Sequence, residues 1–180
     1  ACETDAYDPM EKAMLEYCEK SGVTKEDLFR GTLIKEYAFT NESRRMGHVW
    51  ELDGERVVAA KGSPEAILEL CSLSEDERKA VEEKVAELSG EGLRVIAMAS
   101  AALPPVENVP DSLAGCGLLF SGLAGLYDPP REGIREDIAL CRRAGIRIVM
   151  ITGDSGLTAA AIAAQTGIDW ESGSVTGEML

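Results

Sequence analysis

The chain has 180 residues, 45% of them hydrophobic, which is enough to bury a core in one domain or in two small ones. Its 32 acidic and 18 basic side chains give a formal net charge of −14, which disfavours nonspecific binding to nucleic acid or to an anionic membrane surface. Five widely spaced cysteines without a C-x-x-C pair indicate a reducing, cytoplasmic setting rather than a disulfide framework or a zinc site. No apolar run reaches the ~18 residues of a membrane span and no signal peptide is recognisable, so we expect no direct membrane contact.

The first elements in chain order are a capped helix and a set of strands. Asp8 as N-cap, Pro9 at the first helical position and Glu11 as a capping-box residue predict a helix from about residue 9 to 21, ended by Gly22. The stretch "LIKEYAFTNESRRMGHVWELDGERVVAAK" then predicts strands. Asp53-Gly54 is typical of a two-residue hairpin turn, so we expect an antiparallel sheet.

Two more helices and a strand follow Lys61. Ser63 and Pro64 begin a helix that we expect to reach about Cys71. The stretch "SEDERKAVEEKVAELSG" repeats the capping pattern with Ser74 and predicts a second helix that ends at Gly90. The stretch "LRVIAMASA" predicts a strand.

The pattern changes beyond Cys116. The stretches "GLLFSGLAGLYD" and "IRIVMI" predict strands, and "REGIREDIALCRRAG" and "GLTAAAIAAQTG" predict the helices that alternate with them. Such alternation is typical of a parallel, doubly wound sheet. The stretch "DPPREG" suggests a stiff hinge, so we predict an α+β domain over residues 1–127 and an incomplete α/β domain over residues 128–180.

Two strand ends are candidates for binding phosphate. The stretch "MITGD" ends at Asp154 directly before a helix, where backbone N–H groups favour an anion, although Asp154 or Ser155 could instead cap that helix. Lys61 stands at a similar strand end. The alternative for Lys61 is a surface salt bridge with Glu65 or Glu69, worth under ~1 kcal/mol.

Three further residues stand out in this acidic chain. Phe39 could stack on a planar base with Arg44 or Arg45 nearby, or could belong to the core. Arg94 lies on a strand that otherwise favours burial, so it should reach an anion or a salt-bridge partner. His48 is the one histidine, and since no serine or cysteine elbow accompanies it, we interpret it as structural.

The motifs occur in an order that is more specific than any of them alone. "DPMEKAML", "FTNESRRM", "KGSPE", "GLRVIAMA", "DPPREGIRE" and "VMITGDSGLTAAAIAAQTGI" together resemble the ATP-binding and phosphorylation region of cation-transporting P-type ATPases, most of all the bacterial calcium-pump type. The terminal "SVTGEML" is similar as well. The resemblance implies an α+β nucleotide-binding domain, with an antiparallel sheet flanked by helices, joined to a partial α/β, haloacid-dehalogenase-like (Rossmann-like) segment of a phosphorylation domain.

The resemblance also implies a nucleotide site. Its residues would be Glu11, Phe39, Asn41, Arg44, Lys61, Gly62, Arg94, Asp128, Arg131, Thr152, Gly153 and Asp154. Phe39 would stack on adenine, Glu11 would reach the adenine edge and Lys61 would line the pocket. Gly62 would allow close approach, and Arg94 would contact the phosphates or ribose.

The remaining residues are expected at the hinge and near the phosphates. Asp128 and Arg131 would act at the hinge between the two domains. The "TGD" residues 152–154 would contact the nucleotide and order the phosphorylation site. Asn41 stands where some family members have a basic residue, and Arg44 would compensate for it.

The phosphorylated aspartate of the family lies in Asp-Lys-Thr-Gly-Thr and its magnesium-binding aspartate in Gly-Asp-Gly-x-Asn-Asp. Neither motif occurs in this sequence. The resemblance therefore implies an excised fragment without catalytic or metal-binding residues, which binds ATP without turnover. Its partners would be ATP and the remaining phosphorylation, actuator and membrane domains of a cell-membrane pump, with magnesium in the full-length protein. Two alternatives remain: a free-standing haloacid-dehalogenase-type phosphatase, and a non-catalytic nucleotide-binding or interaction module.

Overall fold

The structure is a computed structural model that describes residues 2–6, 8–104, 108–170, 173 and 175. The C-terminal stretch "SVTGEML" falls outside the described residues except for Val175. Of the helices in the described ranges, none has the length and apolar character needed to span a bilayer.

The first helix begins where the sequence predicts. Helix α1 spans Pro9–Lys20, and the Asp8 carboxylate accepts hydrogen bonds from the backbone N–H groups of Met10 (2.7 Å) and Glu11 (3.4 Å). The helix ends one residue earlier than expected, and Gly22 follows with a φ of +86°. The predicted capping box is wrong, because the Glu11 side chain contacts Lys61 instead.

The predicted hairpin is confirmed. After a short helix α2 (Lys25–Leu28) that the sequence did not predict, strand β1 spans Thr32–Tyr37, β2 spans Arg45–Leu52 and β3 spans Glu55–Gly62. Asp53 and Gly54 join β2 to β3 with φ values of +53° and +81°. Positive φ at both central residues is the geometry of a type I′ turn, whose twist matches that of the flanking strands.

The predicted helices after β3 also form, although the first ends at Leu68 and not near Cys71. Helix α3 (Pro64–Leu68) has Ser63 as its N-cap, and helix α4 (Glu75–Gly90) begins after Ser74. The Ser74 hydroxyl and the Glu77 carboxylate form a complete capping box, in which the backbone N–H of Ser74 donates to Glu77 Oε2 at 2.9 Å. Strand β4 (Arg94–Leu103), a 3₁₀ turn (Leu113–Cys116) and strand β5 (Leu119–Leu126) follow.

The five strands form one sheet in the order β1-β2-β3-β4-β5. The pairs β1–β2, β2–β3 and β3–β4 are antiparallel, as predicted. On one face of the sheet, strand residues form a buried cluster with residues of α3 and of the segment 113–118. Its members are Val49, Val58, Ala60, Ile67, Cys71, Ala97, Ala99, Leu113, Cys116 and Leu118. The sheet and its helices make an α+β domain.

The chain divides into two compact units. The first comprises Ala1–Arg78 and Ile96–Ala124, and the second comprises Lys79–Val95 and Gly125–Leu180. The buried cluster on the sheet belongs to the first unit. The predicted boundary between residues 127 and 128 lies within the second unit, so as a domain boundary it stays a prediction.

The predicted parallel sheet is not formed in the part of the chain that the structure describes. Helices α5 (Ile134–Arg143) and α6 (Gly156–Thr166) are present and contact each other. The predicted strand at residues 146–151 is wrong: the segment is irregular, and Val149 and Ile151 are 66% and 93% exposed. Strands of a parallel sheet are normally covered on both faces, whereas this segment is mostly exposed. Strand β5, the other predicted member, lies beside β4 instead.

Candidate functional site

Strand alternation explains the position of Lys61. Along β3, Val58 and Ala60 point into the buried cluster, and because side chains alternate between faces, Lys61 points to the opposite face. Lys61 is nevertheless buried, with only 4% of its surface exposed. The alternative of a surface salt bridge with Glu65 or Glu69 is therefore wrong. Because it is buried, the amino group needs a polar partner.

Glu11 supplies that partner. Its Oε1 forms a salt bridge with Lys61 Nζ, and both side chains are buried. The second carboxylate oxygen, Oε2, accepts a hydrogen bond from the backbone N–H of Glu3 at 3.2 Å. Cys2 Sγ lies 3.6 Å from Lys61 Nζ. The predicted alternative partner Glu69 instead lies 3.3 Å from an Arg45 guanidinium nitrogen.

The connection from β1 to β2 lies next to this pair. Strand β2 begins with Arg45, which pairs with Gly62, and the backbone N–H of Ser63 donates to the Arg44 carbonyl at 2.9 Å. The β1–β2 loop and the end of β3 therefore meet at one end of the sheet. Phe39 in this loop is 55% exposed, so it is not a core residue.

The β1–β2 loop has a defined shape. The backbone N–H of Arg44 donates to the Thr40 carbonyl at 2.8 Å, and the Thr40 hydroxyl accepts from the N–H of Ser43 at 3.1 Å. Arg44 has a φ of +49°, a left-handed conformation that costs a non-glycine residue roughly 1 kcal/mol. The Asn41 and Arg44 side chains are exposed, so the loop presents an amide, a cation and the Phe39 ring at this end of the sheet.

Gly62 is needed by the fold itself. A Cβ atom at this position would lie 2.5 Å from the Arg44 carbonyl oxygen and 2.8 Å from Arg45 Cα. The backbone that approaches Gly62 closely is thus that of the neighbouring strand. The predicted close approach of a ligand stays a prediction.

In the second unit, the structure brings three predicted residues together. Arg94 Nε lies 3.8 Å from Asp154 Oδ1, and Thr152 Oγ1 donates to Asp154 Oδ2 at 3.0 Å. The helix that follows is capped by Ser155, whose hydroxyl accepts from the N–H of Thr158 at 3.2 Å. The Asp154 carboxylate is therefore not used as a helix cap.

A cavity of about 400 Å³ lies beside these residues within the second unit. Asp128, Arg131, Thr152 and Asp154 are among the residues that line it. The Arg131 guanidinium also donates to Asp137 Oδ2 at 3.0 Å, in the first turn of α5. Two predicted residues of this unit, Arg94 and Gly153, are exposed and do not line the cavity.

Sequence reasoning missed two features of the first unit. One is a mostly apolar cavity of about 380 Å³, in which the rings of Phe29 and Trp50 stand 5.7 Å apart. The other is the burial of His48, which is fully buried, and this burial is the main cause that lowers the pKa of its imidazole. The strand alternation that places Trp50 on the same face as His48 was readable in the sequence, but the burial of that face was not.

Comparison with known proteins identifies the class to which this domain belongs. The family described as "P-type ATPase, cytoplasmic domain N" matches residues 5–133. The sodium/potassium exporting P-type ATPase of Schizosaccharomyces pombe is 39% identical over 172 residues, which cover 89% of this chain and 17% of that protein. The calcium-transporting ATPase of Bacillus subtilis is 36% identical over 186 residues, covering 96% of this chain and 21% of that protein.

The chain belongs to the family of the cytoplasmic domain N of P-type ATPases. A probable cation-transporting P-type ATPase of Mycoplasma genitalium, 34% identical over 169 residues, covers 89% of this chain and 18% of that protein. The chain thus spans about a fifth of the length of these relatives.

Proposed function

We propose that this chain is the ATP-binding part of a P-type pump that transports a cation, with calcium as the transported ion. The observation that carries the proposal is the grouping, at one end of the sheet, of an exposed aromatic ring, exposed polar side chains and a buried ion pair. Family membership supports the assignment to a cation pump. The name of the Bacillus subtilis relative supports calcium.

The groups at this end of the sheet match different parts of ATP: some suit the uncharged adenine and others the charged phosphates. The salt bridge between Lys61 and Glu11 has no net charge, so it suits the uncharged adenine, to whose edge it can offer both a donor and an acceptor. The exposed ring of Phe39 provides a stacking surface, and base stacking on an aromatic side chain is worth about 1–3 kcal/mol. Arg44, which is exposed and cationic, suits the phosphates.

In the second unit, we propose that Arg94, Thr152, Gly153 and Asp154 act on the phosphate side of the nucleotide. The Arg94 guanidinium is neutralised in part by the Asp154 carboxylate, 3.8 Å from Nε. Because the Arg94 side chain is 66% exposed, it can turn towards a phosphate without a large desolvation cost. Asp128 and Arg131 line the cavity beside them, and we assign them to the hinge of the haloacid-dehalogenase-like phosphorylation domain.

The reaction of the parent pump requires groups that this chain does not supply. Transfer of the γ-phosphoryl group to an aspartate needs a positioned nucleophile and compensation of the phosphate charge. The aspartyl and magnesium-binding motifs that the resemblance implies are absent from the sequence. This chain holds and orients ATP, and we expect it to bind ATP without hydrolysing it. A measurable phosphatase or ATPase turnover would instead favour the alternative of a free-standing phosphatase.

Substitution of the exposed ring tests the nucleotide site. In Phe39→Ala, we expect the dissociation constant for ATP to rise at least fivefold, because stacking is lost while the core is untouched. The constant is measured by isothermal titration calorimetry. Tyr17→Ala is the matched control, since Tyr17 is an aromatic residue of the same unit that is 74% exposed on α1.

The control should bind ATP as the unchanged chain does. ATP at 100 times its dissociation constant should also raise the free energy of unfolding by about 2.7 kcal/mol. Equal affinity in Phe39→Ala and Tyr17→Ala would remove the stacking role of Phe39. No detectable ATP binding to the unchanged chain would overturn the proposed function as a whole.

A further inference from the structure

The imidazole of His48 is buried without a hydrogen-bond partner. Only 1% of the residue is exposed, and in the described part of the chain neither Nδ1 nor Nε2 has a hydrogen-bonding partner. A buried polar group left unpaired costs about 1–3 kcal/mol. The ring is held in place by the sheet on which it lies, where Ala59 is its neighbour on β3 and the Trp50 ring stands 6.1 Å away.

Two carboxylates converge on this imidazole. Glu36 is the cross-strand neighbour of His48 in the register of β1 and β2, and Glu3 Oε1 lies 3.7 Å from His48 Nε2. One ligand atom from each of the three residues lies within 4.8 Å of the other two. Glu36 is exposed and Glu3 is half-buried, so the carboxylates form the rim of a site whose floor is the buried ring nitrogen.

We propose that His48, Glu3 and Glu36 bind a divalent transition-metal ion of the zinc class. An imidazole nitrogen favours zinc, nickel or copper over magnesium and calcium, which prefer oxygen ligands alone. Zinc accepts histidine and carboxylate ligands at about 2.0–2.2 Å in a tetrahedral arrangement, and three protein ligands leave the fourth position to water. The ion would satisfy one ring nitrogen that is otherwise unpaired.

The required adjustment is small. Ligand atoms about 2.1 Å from a tetrahedral ion stand about 3.4 Å from one another. Since these atoms lie within 4.8 Å of one another, each pair needs to close by at most about 1.4 Å, which rotation of the Glu3 and Glu36 side chains permits. His48 can stay where it is. The site does not depend on ATP binding, because none of its three ligands belongs to the proposed nucleotide contacts.

The single histidine makes the test direct. Zinc chloride is titrated into the unchanged chain while the imidazole resonances of His48, the one histidine in the sequence, are followed by NMR. We expect these resonances to shift and to saturate at one zinc ion per chain. Zinc binding that leaves the His48 resonances unmoved, or the absence of binding, would overturn the proposal.

Two variants separate this site from other ligands. Glu36→Gln, on an exposed side chain, should weaken zinc binding about tenfold or more in calorimetry, whereas the control Glu55→Gln, on an exposed carboxylate of β3, should leave it unchanged. Cys2→Ser should also retain binding, since the proposed ligands are nitrogen and oxygen. Thermal unfolding without zinc verifies that each variant is folded. Equal affinity in the two glutamate variants, or loss of binding in Cys2→Ser, would show that zinc is held elsewhere.

Discussion

At the scale of single residues, the burial of Lys61 changes how ATP binding by a Lys61 variant can be interpreted. From the sequence alone, we expect Lys61→Ala to weaken ATP binding and leave the fold intact. Given the buried pair, we instead expect Lys61→Ala to destabilise the fold as well, because removal of Lys61 leaves the carboxylate of Glu11 buried without its partner. A loss of binding in Lys61→Ala would therefore mix a binding effect with a folding effect, whereas a substitution of the exposed Phe39 does not.

The buried pair itself gives a sharp prediction. Lys61→Met and Glu11→Leu should each lower the free energy of unfolding by about 3–5 kcal/mol, because each leaves one buried charge unpaired. The double variant should cost much less than the sum of the two, since no buried charge remains. Urea unfolding followed by Trp50 fluorescence, in a chain carrying Trp170→Phe, measures all three.

An exposed pair provides the control for this double-mutant cycle. Lys84 and Glu87 lie 2.7 Å apart on the surface of α4, where both side chains are more than half exposed. Lys84→Met should therefore cost no more than about 1 kcal/mol. If the costs of Lys61→Met and Glu11→Leu were simply additive, the two residues would not be coupled, which would contradict a buried salt bridge between them.

At the scale of elements, the sequence predicted best where the signals are local. The Asp53-Gly54 turn, the Ser63 cap and the Ser74 capping box each depend on a few adjacent residues, and the structure confirms all three. The predictions that failed depend on distant partners. Glu11 has the spacing of a capping-box residue, yet its carboxylate pairs with Lys61, which lies 50 positions away.

The candidate site divides in the same way. The sequence motifs singled out Phe39, Lys61 and Arg94, but burial decided how each could be used: Phe39 is exposed, Lys61 is buried, and Arg94 is exposed beside Asp154. The cluster around His48 could not be foreseen, because Glu3 and Glu36 reach it from separate segments of the chain. Gly62 has the residue type expected at a ligand contact, yet the strand beside it already requires a glycine.

The sequence predicts a strand at residues 146–151, but the structure has an irregular segment there. Its apolar side chains favour a strand, but a strand also needs neighbours for its backbone hydrogen bonds. We therefore expect the amide hydrogens of residues 146–151 to exchange with solvent much faster than those of residues 57–61 in β3. Hydrogen–deuterium exchange with mass spectrometry measures both segments in one sample. Protection of residues 146–151 equal to that of β3 would mean that this segment is a paired strand.

At the scale of the whole molecule, the two units differ in how much apolar surface they bury. The first contains the cluster of fully buried side chains on the sheet, including Val49, Val58 and Ile67. The buried residues of the second unit include small and polar side chains, such as Thr158, Ala163 and Thr166. Because burial of apolar area is the main stabilising term, the first unit should be the more stable.

The two tryptophans report on the units separately. Trp50 lies in the first unit and Trp170 in the second, so Trp170→Phe and Trp50→Phe each leave one reporter. In thermal unfolding followed by fluorescence, we expect Trp170 to respond at a lower temperature than Trp50. Circular dichroism of each variant identifies any change in stability that the substitution itself causes. Coincident transitions of the two reporters would indicate that the units unfold together.

The pairing of Lys61 with Glu11 also restricts how these two positions can be inherited. A descendant that changes only one of them carries an uncompensated buried charge and loses much of its stability margin. Replacement of the charged pair by an uncharged pair therefore requires substitutions at both positions within a short evolutionary time. Across relatives, the residues at these two positions should vary jointly, whereas exposed neighbours such as Glu65 should drift on their own.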